Sequence, residues 1–229
     1  MPSRNSTKLY VENGYYHIYN RGVEKRLIFL DQQDYSVFLN YLKEYLLPKD
    51  TEGLQTILAS PTTSSKEKAQ ALKLLRLNNF TDEITLLAYC LMPNHFHLLI
   101  KQKSSGSIDI FMNSLATRYT MYFNSKYKRV GPLYQDVYKA VLVNTDEQLL
   151  HLTRYIHKQA LASKGDALQS WETQPCSYPE YANDRKTVWI QPEEVLGYFS
   201  KTNPALSYQA FVKETEDLEL IGDILLEEY

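Results

Sequence analysis

An α+β fold, an antiparallel sheet flanked by helices in the ferredoxin-like or RRM-like manner, is what this 229-residue sequence predicts. Three observations predict it. Segments of period-two alternation and amphipathic segments of helical period follow one another as β-α-(insert)-β-β-α-β-α. The middle strands are separated only by Met92-Pro93-Asn94, a turn that makes them antiparallel. No run of about 18 apolar residues appears, so no membrane span is expected.

"GYYHIYNRG" (14–22) has strand composition and ends on a turn glycine. Alternation puts Tyr15, His17, Tyr19 and Arg21 on one face and Tyr16 and Ile18 on the other. Residues 31–47 read as a helix capped by Asp31, with Tyr35, Phe38, Leu39, Leu42 and Leu46 as its apolar stripe. Pro48 ends it, and residues 48–82 read as a polar surface insertion with one short helix over 65–77. "ITLLAYCLMPNHFHLLIKQ" gives two strands. A helix from a Ser107 cap follows, with Ile108, Phe111, Met112, Leu115, Tyr119 and Tyr122 facing inward. "LYQDVYKAVLV" (133–143) reads as the fourth strand, and Thr145 caps a last helix with acids in its first turn. An amphipathic stretch near 207–227 carries no readable chemistry.

Charge divides the chain. Residues 1–165 hold 21 Lys and Arg against 14 Asp and Glu, and residues 166–229 hold 4 against 13. This predicts a catalytic or binding body at 1–165 that meets a polyanion, followed by an acidic C-terminal extension of unknown role. Cys90 and Cys176 match no metal or disulfide spacing, and the first residues lack a signal-peptide apolar core. A reducing, cytoplasmic location is expected.

The chemistry concentrates in "MPNHFHLLI". Residues two apart in a strand share a face, so His95 and His97 point one way while Phe96, Leu98 and Ile100 point into the core. Two neutral imidazoles side by side suit one divalent metal, although His-apolar-His is more commonly a pattern of half-buried or surface histidines. In "HLTRYIHKQ", His151, Tyr155 and Gln159 lie four apart on one helical face. Gln159 offers an oxygen ligand; the alternative is a core tyrosine and a solvated glutamine. His17 is expected to pack.

"MPNHFHLLI", with "YHIYNRG" upstream and "GPLYQDVYKAVLV" and "RYIHKQ" downstream, resembles the single-tyrosine HUH transposases. These include the insertion-sequence 200/605-type enzymes and their REP-associated relatives, and the resemblance spans roughly residues 14–162. It implies the HUH endonuclease fold, a divalent metal (Mg2+ or Mn2+) on His95, His97 and Gln159, and Tyr155 as nucleophile. It further implies transposase-type cleavage and rejoining of single-stranded or hairpin DNA through a 5′-phosphotyrosine, by a homodimer or a monomer. The protein would associate with the nucleoid when bound to DNA. Arg21, Lys25, Arg26, Arg118, Lys126, Lys128, Arg129 and Arg154 are the candidate DNA contacts, and His151 a candidate for proton transfer. REP-associated members usually carry asparagine and proline after the tyrosine motif, where this chain has Gln159-Ala160. The alternatives are a domesticated hairpin-binding protein without strand transfer, a phosphodiesterase that uses water, and a protein whose histidines simply pack.

Overall fold

Alternation in the strands sets the architecture, seen here in a computed structural model that describes residues 8–162, 174–214 and 219–224. Strands β1 (Tyr15–Arg21), β2 (Ile84–Met92), β3 (His95–Gln102) and β4 (Lys139–Val143) form one antiparallel sheet in the order β2-β3-β1-β4. That order is the α+β, ferredoxin-like arrangement expected from the sequence. Register places Tyr19 opposite His97 and Arg21 opposite His95. Helices α1 (Gln32–Leu46) and α4 (Ser107–Lys126) cover one face, where Tyr16, Ile18, Phe96, Leu98 and Ile100 are buried with Phe38, Phe111, Leu115 and Tyr119. Aromatic rings dominate that core; Phe38 meets Phe96 at 5.4 Å and Tyr119 at 5.1 Å.

Local signals held where capping chemistry was explicit. Asp31 accepts the Asp34 N–H at 3.0 Å to start α1, and Thr145 accepts the Gln148 N–H at 3.1 Å at the head of α5 (Asp146–Ala162). The insertion contains two helices where one was expected. Besides α3 (Ser65–Arg76), which starts on a capping box of Ser64 and Glu67, there is α2 (Thr51–Ala59), capped by Asp50 on the Gly53 N–H. Helix α2 buries none of its own residues, and its apolar face is only Leu54, Ile57 and Leu58. Gly106, in the left-handed region at φ 93°, precedes α4, so Ser107 is its first helical residue and not its cap.

The fourth strand is shorter than the 133–143 reading. Near Tyr134 the chain is drawn to the end of β1: Tyr134 bridges Gly22, the Gln135 N–H reaches the Arg21 carbonyl at 2.8 Å, and the Asn20 amide bonds the Asp136 carbonyl. The continuous ladder starts only at Lys139.

The boundary between body and acidic extension, placed at 165/166, lies outside the described residues. So do parts of the 207–227 stretch. The rest of the acidic segment includes α6 (Tyr178–Tyr181), α7 (Glu193–Leu196) and α8 (Tyr208–Lys213). Its Cys176, Tyr181, Val195, Tyr208, Val212 and Ile221 bury with Leu87, Ala88, Cys90 and Leu99 of the sheet and Leu149, Leu152, Ile156 and Ala160 of α5. Some of its acids meet cations of the body: Glu194 pairs with Lys101 at 2.9 Å, and Glu214 with Arg154 at 3.8 Å.

Candidate metal and nucleophile site

Both imidazoles project from β3 onto the α5 face, as alternation requires. They are buried, with ring centroids 5.0 Å apart and planes perpendicular. Each has a partner on Nδ1. The His95 Nδ1–H donates to Asn94 Oδ1 at 2.6 Å, and the Asn94 amide is oriented by its own contact with the Lys25 carbonyl. His97 Nδ1 lies 2.9 Å from His17 Nε2, with the two rings stacked at 16°. His97 Nε2 is buried and meets no hydrogen-bond partner. Burial first, then the charges of His17, His95 and Arg21, push the His97 pKa well below the ordinary histidine value, so the ring is neutral at pH 7.

Helix α5 brings Tyr155 to this pair. Its ring stands edge-on to His97 with centroids 5.6 Å apart, and edge-on to His17 at 6.4 Å, all within one chain. Leu152, Ile156 and Ala160, buried against the sheet, fix the rotation of α5 that makes this approach. Gln159 is half-buried one turn after Tyr155. Among the described residues, no group of three or more His, Cys, Asp and Glu gathers around one ion position.

His17, expected only to pack, is fully buried and also bonded to His97. Alternation placed it on the correct face. The missing information was the cross-strand register, which sets Tyr19 and not His17 opposite His97, so that His17 reaches across on the diagonal.

The sequence model of the family described as "Transposase IS200 like" matches residues 62–159, a segment holding His95, His97, Tyr155 and Gln159. Over that segment, 98 of the 229 residues, the chain is similar to the IS200-like transposases. Among solved structures, a REP-associated tyrosine transposase bound to a REP hairpin aligns at 10% identity and TM-score 0.48, over 82% of this chain and 96% of that one. A putative transposase from Deinococcus radiodurans R1 aligns at 19% identity and TM-score 0.28, over 68% and 97%. At these scores neither alignment bears weight, and the fold stands on its own strand order. No curated protein matches.

Of the cations expected on DNA, several surround the histidine end of the sheet. Lys25 is exposed, and its carbonyl touches Asn94; Arg21 contributes to the field at His97. Arg26 and Arg129 are close enough to repel, burial first and then Arg26 pulling Arg129 below its usual value. Lys128 is exposed at the end of α4. Three others are engaged inside the fold. Arg118 stacks 3.7 Å over Tyr41 and pairs with Glu44, and Lys126 bonds Asp31 and Asp34, both on the face away from the histidines. Arg154 is 2% exposed and donates to His151 Nδ1 at 2.9 Å and to the Phe211 carbonyl. His151 packs its ring on Phe211. Among the described residues no helix is long and apolar enough to cross a membrane.

Proposed function

We propose that this protein is a transposase-type, metal-assisted single-stranded DNA endonuclease and strand transferase acting on hairpin-containing DNA. Tyr155 is its nucleophile, and His95, His97 and Gln159 hold the metal. The observation that carries the reading is the edge-on approach of Tyr155 to His97 in one chain.

The residues fit a divalent ion. His97 is neutral, its Nε2 is buried without a partner, and Asn94 holds His95 in the form whose Nε2 carries the lone pair. A buried polar atom left unsatisfied costs about 1–3 kcal/mol, a cost that coordination would remove. Mg2+ or Mn2+ there would polarise the scissile phosphate and stabilise the charge that builds on it.

In the reaction the Tyr155 oxygen bonds to phosphorus and the bond from phosphorus to the 3′ oxygen breaks. The phenol gives up its proton and the departing 3′ oxygen takes one, leaving a 5′-phosphotyrosine and a free 3′-OH. The phosphoester energy is retained, so rejoining needs no ATP. A free phenol of pKa about 10 is a poor nucleophile at neutral pH, which is why the site must supply positive charge next to it. Arg21, Lys25, Arg26, Lys128 and Arg129 bind the DNA backbone at the same end of the sheet. A DNA substrate places the protein in the cytoplasm, on the nucleoid while bound.

Mass spectrometry of the full chain incubated with a single-stranded hairpin oligonucleotide and Mn2+ tests this. The expected product is a covalent adduct on Tyr155 that Tyr155→Phe abolishes while hairpin binding persists. An adduct that survives in Tyr155→Phe, or cleavage yielding a free 5′-phosphate with no adduct, overturns the assignment.

A further inference from the structure

The bond between His17 and His97 has a chemical consequence that depends on where one proton sits. The His17 and His97 rings share a hydrogen bond at 2.9 Å, and His97 is neutral. If His17 Nε2–H donates, the proton of His97 is on Nε2, a buried N–H with no acceptor. If His97 Nδ1–H donates, His97 Nε2 is a bare lone pair. Orphaned buried donors are rarer and costlier in proteins than under-satisfied acceptors, so the second arrangement is favoured. Asn94 imposes the same choice on His95, since an amide oxygen can only accept.

We infer that His17 is a positioning residue: it accepts the Nδ1 proton of His97 and thereby fixes the tautomer that turns the Nε2 lone pair outward as a ligand. His17 comes from β1, before the segment that matches the family, and neither the match nor the histidine pair itself assigns it a role. Its environment suits an aligning task. It is fully buried, stacked on His97 at 16° and wedged against Tyr19 at 4.8 Å, so its ring has little freedom to turn. Partners that hold a ligating histidine in this way typically contribute 10–100-fold in metal affinity. The inference rests on the metal reading proposed above for its purpose, but not for its test.

Two measurements on the full chain decide it. Nitrogen-15 NMR of the imidazoles, recorded without metal, is expected to show His97 protonated on Nδ1 and bare on Nε2. Calorimetry with Mn2+ alone is expected to show about 10–100-fold weaker binding in His17→Phe, which removes the acceptor. His17→Gln, which keeps one, should bind within a few-fold of the parent. A His97 proton on Nε2 overturns the inference, as does unchanged Mn2+ affinity in a folded His17→Phe. If His17→Phe does not fold, the spectrum of the parent chain still decides. An Nδ1–H spectrum without Mn2+ binding breaks the metal reading and leaves the role of His17 standing. Mn2+ binding to a chain whose His97 carries its proton on Nε2 does the reverse.

Discussion

Phe96 and His97 are neighbours in sequence, yet they belong to different regions of the molecule. Phe96 enters the face under α1 and α4, an aromatic core in which Phe38 and Tyr134 touch its ring. His97 enters the α5 face, where polar groups are buried among apolar ones and its own Nε2 is left without a partner. The first face is built for cohesion. The second holds an unsatisfied atom at a place where Tyr155 can reach it, and its stability comes from elsewhere, from Leu99, Val143, α5 and the acidic segment. Binding chemistry is thus set on a sheet whose opposite side holds the strands in register.

The contrast can be broken most forcefully at Phe96. Phe96→Ala should cost about 3–5 kcal/mol in denaturant unfolding, through lost burial and a residual cavity. A loss under about 1 kcal/mol would mean the aromatic face does not carry the fold. His97→Ala should cost less, about 1–3 kcal/mol, because it breaks one buried bond and strands His17 while also deleting the unsatisfied nitrogen. It should nonetheless end Mn2+-dependent adduct formation. Cleavage that persists in that variant would move the metal elsewhere.

The smallest effect concerns the acidic segment's hold on α5. His157 is buried between Tyr208 and Ser177, and burial lowers its pKa to about 3. A depressed histidine contributes stability that is present above its unfolded pKa and lost as pH falls from about 6.5 toward 3. The loss at pH 5.5 should be about 1.4 kcal/mol. Comparing unfolding of the parent and His157→Gln across pH 7.5 to 5 checks this. Equal pH dependence in both would show that the histidine is not held neutral.

Much of this was legible in the residues because it depends on local rules. Strand alternation placed Phe96 and His97 on opposite faces, capping chemistry placed Asp31 and Thr145, and i, i+4 spacing put Tyr155 and Gln159 on one face of α5. What escaped needs distance information. The role of His17 follows from cross-strand register, which alternation leaves open. Helix α2 buries none of its residues, and three apolar side chains, Leu54, Ile57 and Leu58, are too short a stripe to stand out in a polar insertion. Arg154 and Lys126 looked like polyanion contacts because a sequence shows a charge and not its partner; Glu214 and the Phe211 carbonyl lie about 60 positions from the first. The packing of residues 176–214 over α5 has no periodic signal, since its helices are too short to display one.

The wiring of the histidine pair also bears on the order in which this molecule becomes itself. His95 and His97 ride on a hairpin closed by a two-residue turn, the kind of contact that forms within microseconds. His17 is 80 positions upstream, and Tyr155 comes from a helix docked long after the hairpin in chain order. Such long-range closures are the slow ones. A part-folded chain therefore holds paired imidazoles with neither His17 nor the phenol beside them until α5 is seated.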